Sequence, residues 1–225
     1  MALIPVEERV EPTSPVFDVP GYGGRTRPMA YPVNEIVEEI QAAADEAGFS
    51  SDPNLFKLFS GYRSDASQQR LFERKVASLQ TKYPEMSLSE IHRLARKTVA
   101  KPGSSSHRTG YAFDIYLGHK PGYSISNADP ANTAYIETTP AYQFMRDIAP
   151  QYGLTQLHNE PWHWECDRGC RDSFLNRNQI TSGHNGETMV ASLSTGKKVG
   201  IALLGVSCLS VIGFGAWTLL KNRRS

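Results

Sequence analysis

The 225-residue sequence lacks several features that would narrow its class at once. Its charges nearly cancel, with 24 lysine and arginine residues against 23 acidic ones. This balance gives no strong field for gathering nucleic acid or coating an anionic surface, so we expect no nucleic-acid partner. The N-terminal stretch meets proline and acidic residues at once and has no basic segment followed by a long apolar one. We therefore expect no cleaved secretory signal.

Cysteine is also scarce, since the sequence has three. Cys166 and Cys170 flank a short loop, and Cys208 lies in an apolar run. This number and placement exclude a disulfide framework of the kind that supports small secreted domains. The spacing of Cys166 and Cys170 allows one bridge in an oxidising compartment and equally allows two free thiols.

The length suits one compact domain with appendages, because single domains commonly run from about 100 to 200 residues. Residues 1–28 are rich in proline and glycine without a sustained period, which predicts an extended N-terminal arm. Residues 29–175 carry the periodic segments and form the predicted domain. Residues 176–198 are polar and predict a linker.

An apolar run follows the linker. Residues 199–220 contain no charge and are long enough to cross a hydrocarbon core of about 30 Å, so they predict a transmembrane helix. Residues 221–225 form a basic tail. The basic residues on the two flanks nearly balance, and the positive-inside rule slightly favours a single-pass protein whose main domain, residues 29–175, is extracytoplasmic. A membrane-containing phage particle is the alternative location.

Several helix starts are visible in the predicted domain. Asn34 is expected to cap the first helix, and a second helix is expected to begin near Asp65 after a turn. Ser87 and Glu90 have the spacing of a capping box. Thr139, followed by proline, is expected to open a further helix.

Strand composition is found at residues 55–59, 111–117, 154–158 and 162–165, and residues 118–138 are expected to form a loop. Helices are interspersed with these short strands, and no βαβ unit is repeated. The pattern predicts an α+β fold, with a small and mainly antiparallel sheet flanked by helices and one C-terminal transmembrane helix in addition.

His107, Asp114 and His163 are candidate metal ligands. Catalytic zinc takes three protein ligands from histidine, aspartate, glutamate and cysteine and keeps one position for water. Asp114 follows His107 by seven residues on a predicted strand, and Gly110 and Ala112 keep the intervening side chains small. This spacing lets a loop and a strand direct two ligands at one point.

Glu160 precedes His163 by three residues, and Pro161 between them favours a turn that directs both side chains into one cleft. Glu165 could orient a ligand histidine or lie exposed on its strand, and it stays outside the predicted site. Taken singly, each of these residues has an ordinary structural explanation, because one histidine or one carboxylate is common in any domain. Their joint arrangement is what indicates a metal site.

Three segments occur in one order: residues 60–64 (SGYRS), residues 105–114 (SSHRTGYAFD) and residues 160–163 (EPWH). They resemble the SGYRS, SxHxxGxAxD and ExxH motifs of the zinc D-Ala-D-Ala carboxypeptidases of the VanY type, within the LAS group of peptidoglycan peptidases. The resemblance covers roughly residues 30–170.

The resemblance implies a zinc cofactor, peptidoglycan peptides as substrates, and a role for each matched residue. His107, Asp114 and His163 would bind zinc, and Glu160 would be the catalytic base. Arg63 and Ser105 would contact the substrate, and the planar guanidinium of Arg63 suits a carboxylate or a developing oxyanion.

Other functions remain open at this stage. Related peptidases cut within the stem peptide as endopeptidases, including phage lysins, and others act as L,D-carboxypeptidases. A non-enzymatic cell-wall-binding or virion structural module is the alternative outside enzymes. Such a module could have lost the base or a ligand, whereas this sequence keeps all four residues.

Overall fold

The computed structural model of the chain describes residues 3–13 and 15–182. Helices and short strands are interspersed along this part of the chain. In chain order they are β1 (Val16–Pro20), β2 (Thr26–Ala30), α1 (Val33–Glu46), β3 (Leu58–Ser60), α2 (Asp65–Lys82), α3 (Leu88–Ala95), β4 (Ala112–Ile115), α4 (Pro130–Glu137), α5 (Pro140–Tyr152), β5 (Thr155–Gln156), β6 (His163–Glu165) and α6 (Arg168–Ser182).

The central sheet has the strand order β3-β4-β6-β5, and each neighbouring pair is antiparallel. Strands β1 and β2 form a separate antiparallel hairpin. In the central sheet, Asp114 of β4 lies opposite Ser60 of β3 on one side and His163 of β6 on the other. The predicted α+β fold with a small antiparallel sheet is confirmed.

The main core lies between the sheet and the helices. Apolar residues at helical spacing on α1, among them Ile36, Val37 and Ile40, are fully buried in one cluster with Phe113 of β4 and Met145 of α5. A smaller cluster holds α2 against α3. It consists of Phe72, Val76, Ile91 and Ala95. The helical pair α2–α3 thus has a small core of its own beside the sheet.

The N-terminal region differs from the predicted extended arm. Residues 16–30 form the β1–β2 hairpin, so the predicted boundary between residues 28 and 29 falls inside β2. Val19 and Met29 of this hairpin are fully buried. Proline in each strand hid the pattern, since a two-stranded sheet consists of edge strands, where proline is tolerated.

Helix α1 begins at Val33, after Pro32, and Asn34 lies inside its first turn instead of capping it. The capping prediction for Asn34 is therefore wrong. Strand β3 starts at Leu58, later than predicted, because Phe56 has a positive φ of 58° that interrupts extended backbone. By contrast, the capping box of Ser87 and Glu90 is present as predicted.

Two helices were absent from the sequence prediction. Helix α4 lies within the predicted loop 118–138, and it is capped by Asp129 with Pro130 at its first position. Helix α6 runs to Ser182, past the predicted domain end at residue 175 and into the predicted linker 176–198. This helix has few apolar residues, and their spacing shows no clear helical period.

The predicted membrane helix at residues 199–220 and the tail 221–225 lie outside the described residues. Among the helices of the described part, none combines the length and apolarity needed to cross a membrane.

Candidate metal centre

His107, Asp114 and His163 converge on one point. One ligand atom from each can be chosen so that all lie within 4.8 Å of one another, and all three side chains are buried. The distance from His107 Nε2 to Asp114 Oδ2 is 3.3 Å, and the distance from His163 Nδ1 to Asp114 Oδ1 is 2.9 Å. The structure thus brings together the three residues predicted as ligands.

Local backbone geometry explains this convergence. His107 lies in a 3₁₀ turn, Ser106–Thr109, that ends at Gly110 in the left-handed conformation with φ of 72°. A Cβ atom at Gly110 would come within 2.8 Å of the Cβ atom of Ala30, so only glycine lets the turn pack against β2. The chain then enters β4, whose register places Asp114 directly beside His163.

Each histidine is held through the ring nitrogen that faces away from Asp114. His107 Nδ1 lies 2.9 Å from the carbonyl oxygen of Gly61, which can only accept a hydrogen bond. His163 Nε2 lies 3.0 Å from Glu165 Oε1. With a metal ion bound, protons on these two nitrogens would leave the lone pairs of His107 Nε2 and His163 Nδ1 for the metal on the Asp114 side, which is the usual support of metal-binding histidines.

Two nitrogen donors and one carboxylate fit zinc in a catalytic site, where three protein ligands leave a fourth position open. The donor set also explains how a carboxylate can be buried here. Burial acts to raise the pKa of Asp114, but the charges and hydrogen bonds of His107 and His163 outweigh it and hold this pKa well below its usual range.

The pKa of His163 is shifted in the opposite direction to that of Asp114. Burial acts to lower its pKa, but hydrogen bonds to Asp114 and Glu165 outweigh burial and raise the pKa of His163 to about 10. The pKa of Glu165 is lowered, because its hydrogen bonds to His163 and Ser106 exceed the effect of its own burial. Without a metal ion, the cluster is therefore an imidazolium between two carboxylates.

Glu160 lies at the turn between β5 and β6 and is partly buried. Its backbone carbonyl accepts a hydrogen bond of 2.9 Å from the backbone N–H of His163. Burial raises the pKa of Glu160, the positive charge of His163 lowers it, and the negative charge of Asp114 raises it further. A carboxyl group with a raised pKa beside the metal ligands is suited to accept and return a proton.

Arg63 follows β3, and its backbone N–H donates to the carbonyl of His107 at 3.0 Å. Its guanidinium donates to Gln68 Oε1 at 3.0 Å and to Ser60 Oγ at 2.6 Å. Burial lowers the pKa of Arg63, and the charge of Asp114 opposes this effect. Ser105 is buried immediately before the turn that carries His107. The predicted site residues therefore occupy one region.

Sequence reasoning did not assign two residues that support the site. Glu165 is 1% exposed and holds His163, and its position two residues after His163 on β6 puts both side chains on one face of the strand. Gln68 is also 1% exposed and holds Arg63. The spacing within β6 could have indicated Glu165, whereas Gln68 had no signal beyond its place in the first turn of α2.

Comparison with known proteins places this chain in a family. The model of the family described as VanY, D-alanyl-D-alanine carboxypeptidase, matches residues 27–166, which is more than half of the sequence. The chain belongs to the VanY family. The match includes every residue of the candidate metal centre.

Among similar proteins, the D-alanyl-D-alanine carboxypeptidase of Enterococcus faecalis (strain ATCC 700802 / V583) is 32% identical over 113 residues, which cover 47% of this chain and 37% of that protein. YodJ of Bacillus subtilis (strain 168) is 33% identical over 115 residues, covering 46% of this chain and 35% of that protein. The chain thus matches little more than a third of the length of either relative.

Among solved structures, the LD-carboxypeptidase LdcB is similar with a TM-score of 0.50 and 21% sequence identity, and the alignment covers 78% of each chain. This similarity shows that the two proteins share a fold.

Proposed function

We propose that this chain is a zinc-dependent peptidase that hydrolyses peptidoglycan stem peptides, acting as a D-Ala-D-Ala carboxypeptidase. The observation that carries the proposal is the convergence of His107, Asp114 and His163 with Glu160 beside them, in a chain of the VanY family. Zinc would be held by His107 Nε2, His163 Nδ1 and the carboxylate of Asp114.

The chemistry that zinc supplies when bound is activation of a water molecule and polarisation of the peptide carbonyl. Glu160 takes the proton from the attacking water and passes it to the nitrogen of the leaving amino acid, which departs as a free amine. The burial that raises the pKa of Glu160 favours both halves of this transfer, because the carboxyl group then holds and releases a proton closer to neutral pH.

Arg63 supports the choice of a carboxypeptidase. Its guanidinium is fixed beside the metal centre by Gln68 and Ser60, and a fixed planar cation suits the terminal carboxylate of a peptide. Ser105, next to the turn that bears His107, is proposed to contact the same substrate. An endopeptidase would not need a cation for a terminal carboxylate, and a structural module would need neither the base nor the cation.

The test is to incubate the purified full chain, in mild detergent with zinc, with a stem pentapeptide and separately with cross-linked muropeptides. Mass spectrometry should detect release of terminal D-Ala from the pentapeptide. Cleavage of cross-links instead would favour the endopeptidase, and release of D-Ala from an L-centre would favour the L,D-carboxypeptidase.

The required controls are a chelator and two carboxylate variants. Glu160→Ala should abolish product formation, while Glu137→Ala changes an exposed carboxylate of α4 and should leave it intact. Equal products from wild type and Glu160→Ala, or activity that survives chelation, would contradict the proposed zinc mechanism, and absence of product from the zinc-loaded wild type would favour the binding-module alternative.

We also propose that residues 199–220 anchor the chain in a membrane and that the peptidase domain is extracytoplasmic. The length and lack of charge of this run support the anchor. The disulfide between Cys166 and Cys170 supports an oxidising compartment, where such bonds persist. Added protease should degrade the domain in intact spheroplasts, and a protected domain would contradict this orientation.

A further inference from the structure

Residues 4–11, which we call the N-terminal strap, contact residues that surround the metal ligands. The backbone N–H of Ile4 donates a buried hydrogen bond of 2.7 Å to Glu165 Oε2. The other oxygen of the same carboxylate faces Nε2 of His163 at 3.0 Å. Ile4 is only 1% exposed, so this contact is part of the packed interior.

A second residue of the strap holds the loop that carries Ser105 and His107. Arg9 donates from Nη1 to the carbonyl of Ser104 at 2.8 Å and from Nε to the carbonyl of Ile4 at 3.1 Å. Arg108 donates in return to the carbonyl of Arg9 at 2.5 Å. The strap and this loop are therefore joined in both directions.

The end of the strap reaches the segment that carries Arg63. Glu11 Oε1 accepts a hydrogen bond of 2.9 Å from the backbone N–H of Asp65. Glu11 Oε2 accepts one of 3.4 Å from the hydroxyl of Tyr62. Asp65 also forms an ion pair with Arg108, which closes the network. One stretch of eight residues thus contacts the first two motif segments of the site and also Glu165, two residues after the third.

We propose that the N-terminal strap is a positioning element for the metal centre and acts mainly through Glu165 on His163. The buried carboxylate of Glu165 needs partners for its oxygens: Ile4 bonds Oε2, His163 bonds Oε1, and Ser106 supplies a further hydrogen bond. Loss of the Ile4 N–H would remove the hydrogen bond to Oε2 from a buried carboxylate, which costs free energy. The carboxylate would then turn toward water or another donor and no longer fix the ring of His163.

The inference rests on the proposed metal site, and its test reads out zinc binding as well as activity. Ile4→Pro removes the N–H donor, while Ile4→Val keeps the N–H and an apolar side chain. Zinc affinity of each full chain is measured by competition with a chromophoric chelator. We expect Ile4→Pro to bind zinc about 10-fold or more weakly, as other losses of support to a metal-binding histidine do, and Ile4→Val to bind as wild type.

Absorption of the cobalt(II)-substituted chain provides a readout that simple loss of stability would not change. The ligand-field bands should shift in Ile4→Pro and stay in place in Ile4→Val, because only the first releases Glu165. Circular dichroism checks that each variant is folded.

If Ile4→Pro does not fold, Arg9→Ala is the second test, with Val10→Ala as its control. Arg9→Ala frees the carbonyls of Ile4 and Ser104, whereas Val10 is 60% exposed on the same strap. We expect zinc affinity to fall severalfold in the first variant and to be unchanged in the second.

Three outcomes separate the possibilities. Zinc affinity and cobalt spectra equal to wild type in Ile4→Pro or Arg9→Ala would overturn the inference. A rise in peptidase activity with unchanged zinc affinity would also overturn it, because the strap would then cover the cleft instead of supporting it. Wild-type chain that binds zinc but cleaves no peptide would contradict only the proposed function, and the strap would still be tested through its metal affinity.

Discussion

At the scale of single residues, the site depends on side chains that hold the proposed catalytic groups in place. Gln68 is the clearest example, because both ends of its buried amide are used. Its oxygen accepts from Arg63, and its nitrogen donates to the carbonyl of Ala100 at 2.6 Å. Gln68 therefore links the guanidinium of Arg63 to the backbone of the loop that follows α3.

Substitution Gln68→Ala should therefore weaken substrate binding. Arg63 would lose one of its two side-chain acceptors, and we expect kcat/KM for the stem pentapeptide to fall about 10-fold, mainly through a higher KM. Gln69→Ala is the matched control, since Gln69 lies on the exposed side of α2 and bonds only to Glu73 among its side-chain contacts in the described structure. Steady-state kinetics decide the question, and an unchanged KM in Gln68→Ala would contradict a substrate-binding role for Arg63.

His163 leads to a prediction about pH. Its pKa of about 10 means that metal-free chain holds a proton there at neutral pH, and zinc must displace it. Apparent zinc affinity should therefore rise about 10-fold per pH unit from pH 7 to pH 9. A histidine with the ordinary pKa of about 6.5 would give a plateau above about pH 7.5.

Chelator competition across this pH range measures the slope. Glu165→Gln removes one of the two carboxylates that stabilise the protonated ring of His163. Apparent zinc affinity should therefore reach its plateau at a lower pH in this variant. A wild-type affinity that is already constant above pH 7.5 would show that His163 is neutral before the metal binds.

The residues of the site differ in how far the sequence could predict them. His107, Asp114 and His163 have short, characteristic spacings and converge in the structure, and the charges of His163 and Asp114 act on Glu160. The contact between Glu165 and Ile4 joins residues 161 positions apart, and such a hydrogen bond leaves no periodic pattern. Supporting contacts of this kind depend on tertiary packing and become visible only in three dimensions.

At the scale of secondary-structure elements, local chemistry determined which predictions succeeded. Helix α5 was predicted because its cap and its first proline are contiguous in sequence, and Thr139 does accept a hydrogen bond from the backbone N–H of Tyr142. Helix α4 has a comparable start, but it is eight residues long and has no apolar stripe. The β1–β2 hairpin was missed because proline and glycine outweighed its few apolar positions.

The packing of α1 against α5 includes one pair that should make stability depend on alkaline pH. Burial raises the pKa of Tyr152 to about 12, and the charge of Glu39 and a hydrogen bond to it act in the same direction. The folded state thus keeps this proton above the unfolded pKa of about 10. The resulting stability is fully present below pH 10 and is lost as pH rises through 12.

Tyr152→Phe should remove this part of the alkaline decline. Between pH 8 and pH 11, the free energy of unfolding of wild type should fall by about 1 kcal/mol more than that of the variant, after allowance for screening by solvent. Urea unfolding at the two pH values measures the difference. Tyr135→Phe, which changes an exposed tyrosine of α4, should follow wild type. Parallel declines in all three proteins would exclude a contribution from Tyr152.

At the scale of the whole molecule, the metal centre links parts that are distant in sequence. Its ligands come from the 3₁₀ turn, from β4 and from β6, and the strands of the central sheet are only two to four residues long. Strands this short provide few ladder hydrogen bonds. A metal ion bound to three of these segments should therefore contribute to global stability as well as to the proposed catalysis.

Zinc should stabilise the folded chain by mass action, by about 4 kcal/mol when its free concentration is 1,000 times the Kd. For a domain of this size, that corresponds to a rise in Tm of about 10 °C relative to chelator-treated chain. Glu160→Ala should keep the full rise, because Glu160 is not a ligand, whereas Asp114→Ala should lose nearly all of it. Differential scanning calorimetry with and without zinc measures the shift. A rise that persists in Asp114→Ala would place the stabilising ion elsewhere, and a rise lost in Glu160→Ala would mean that this carboxylate binds the metal instead of serving as the base.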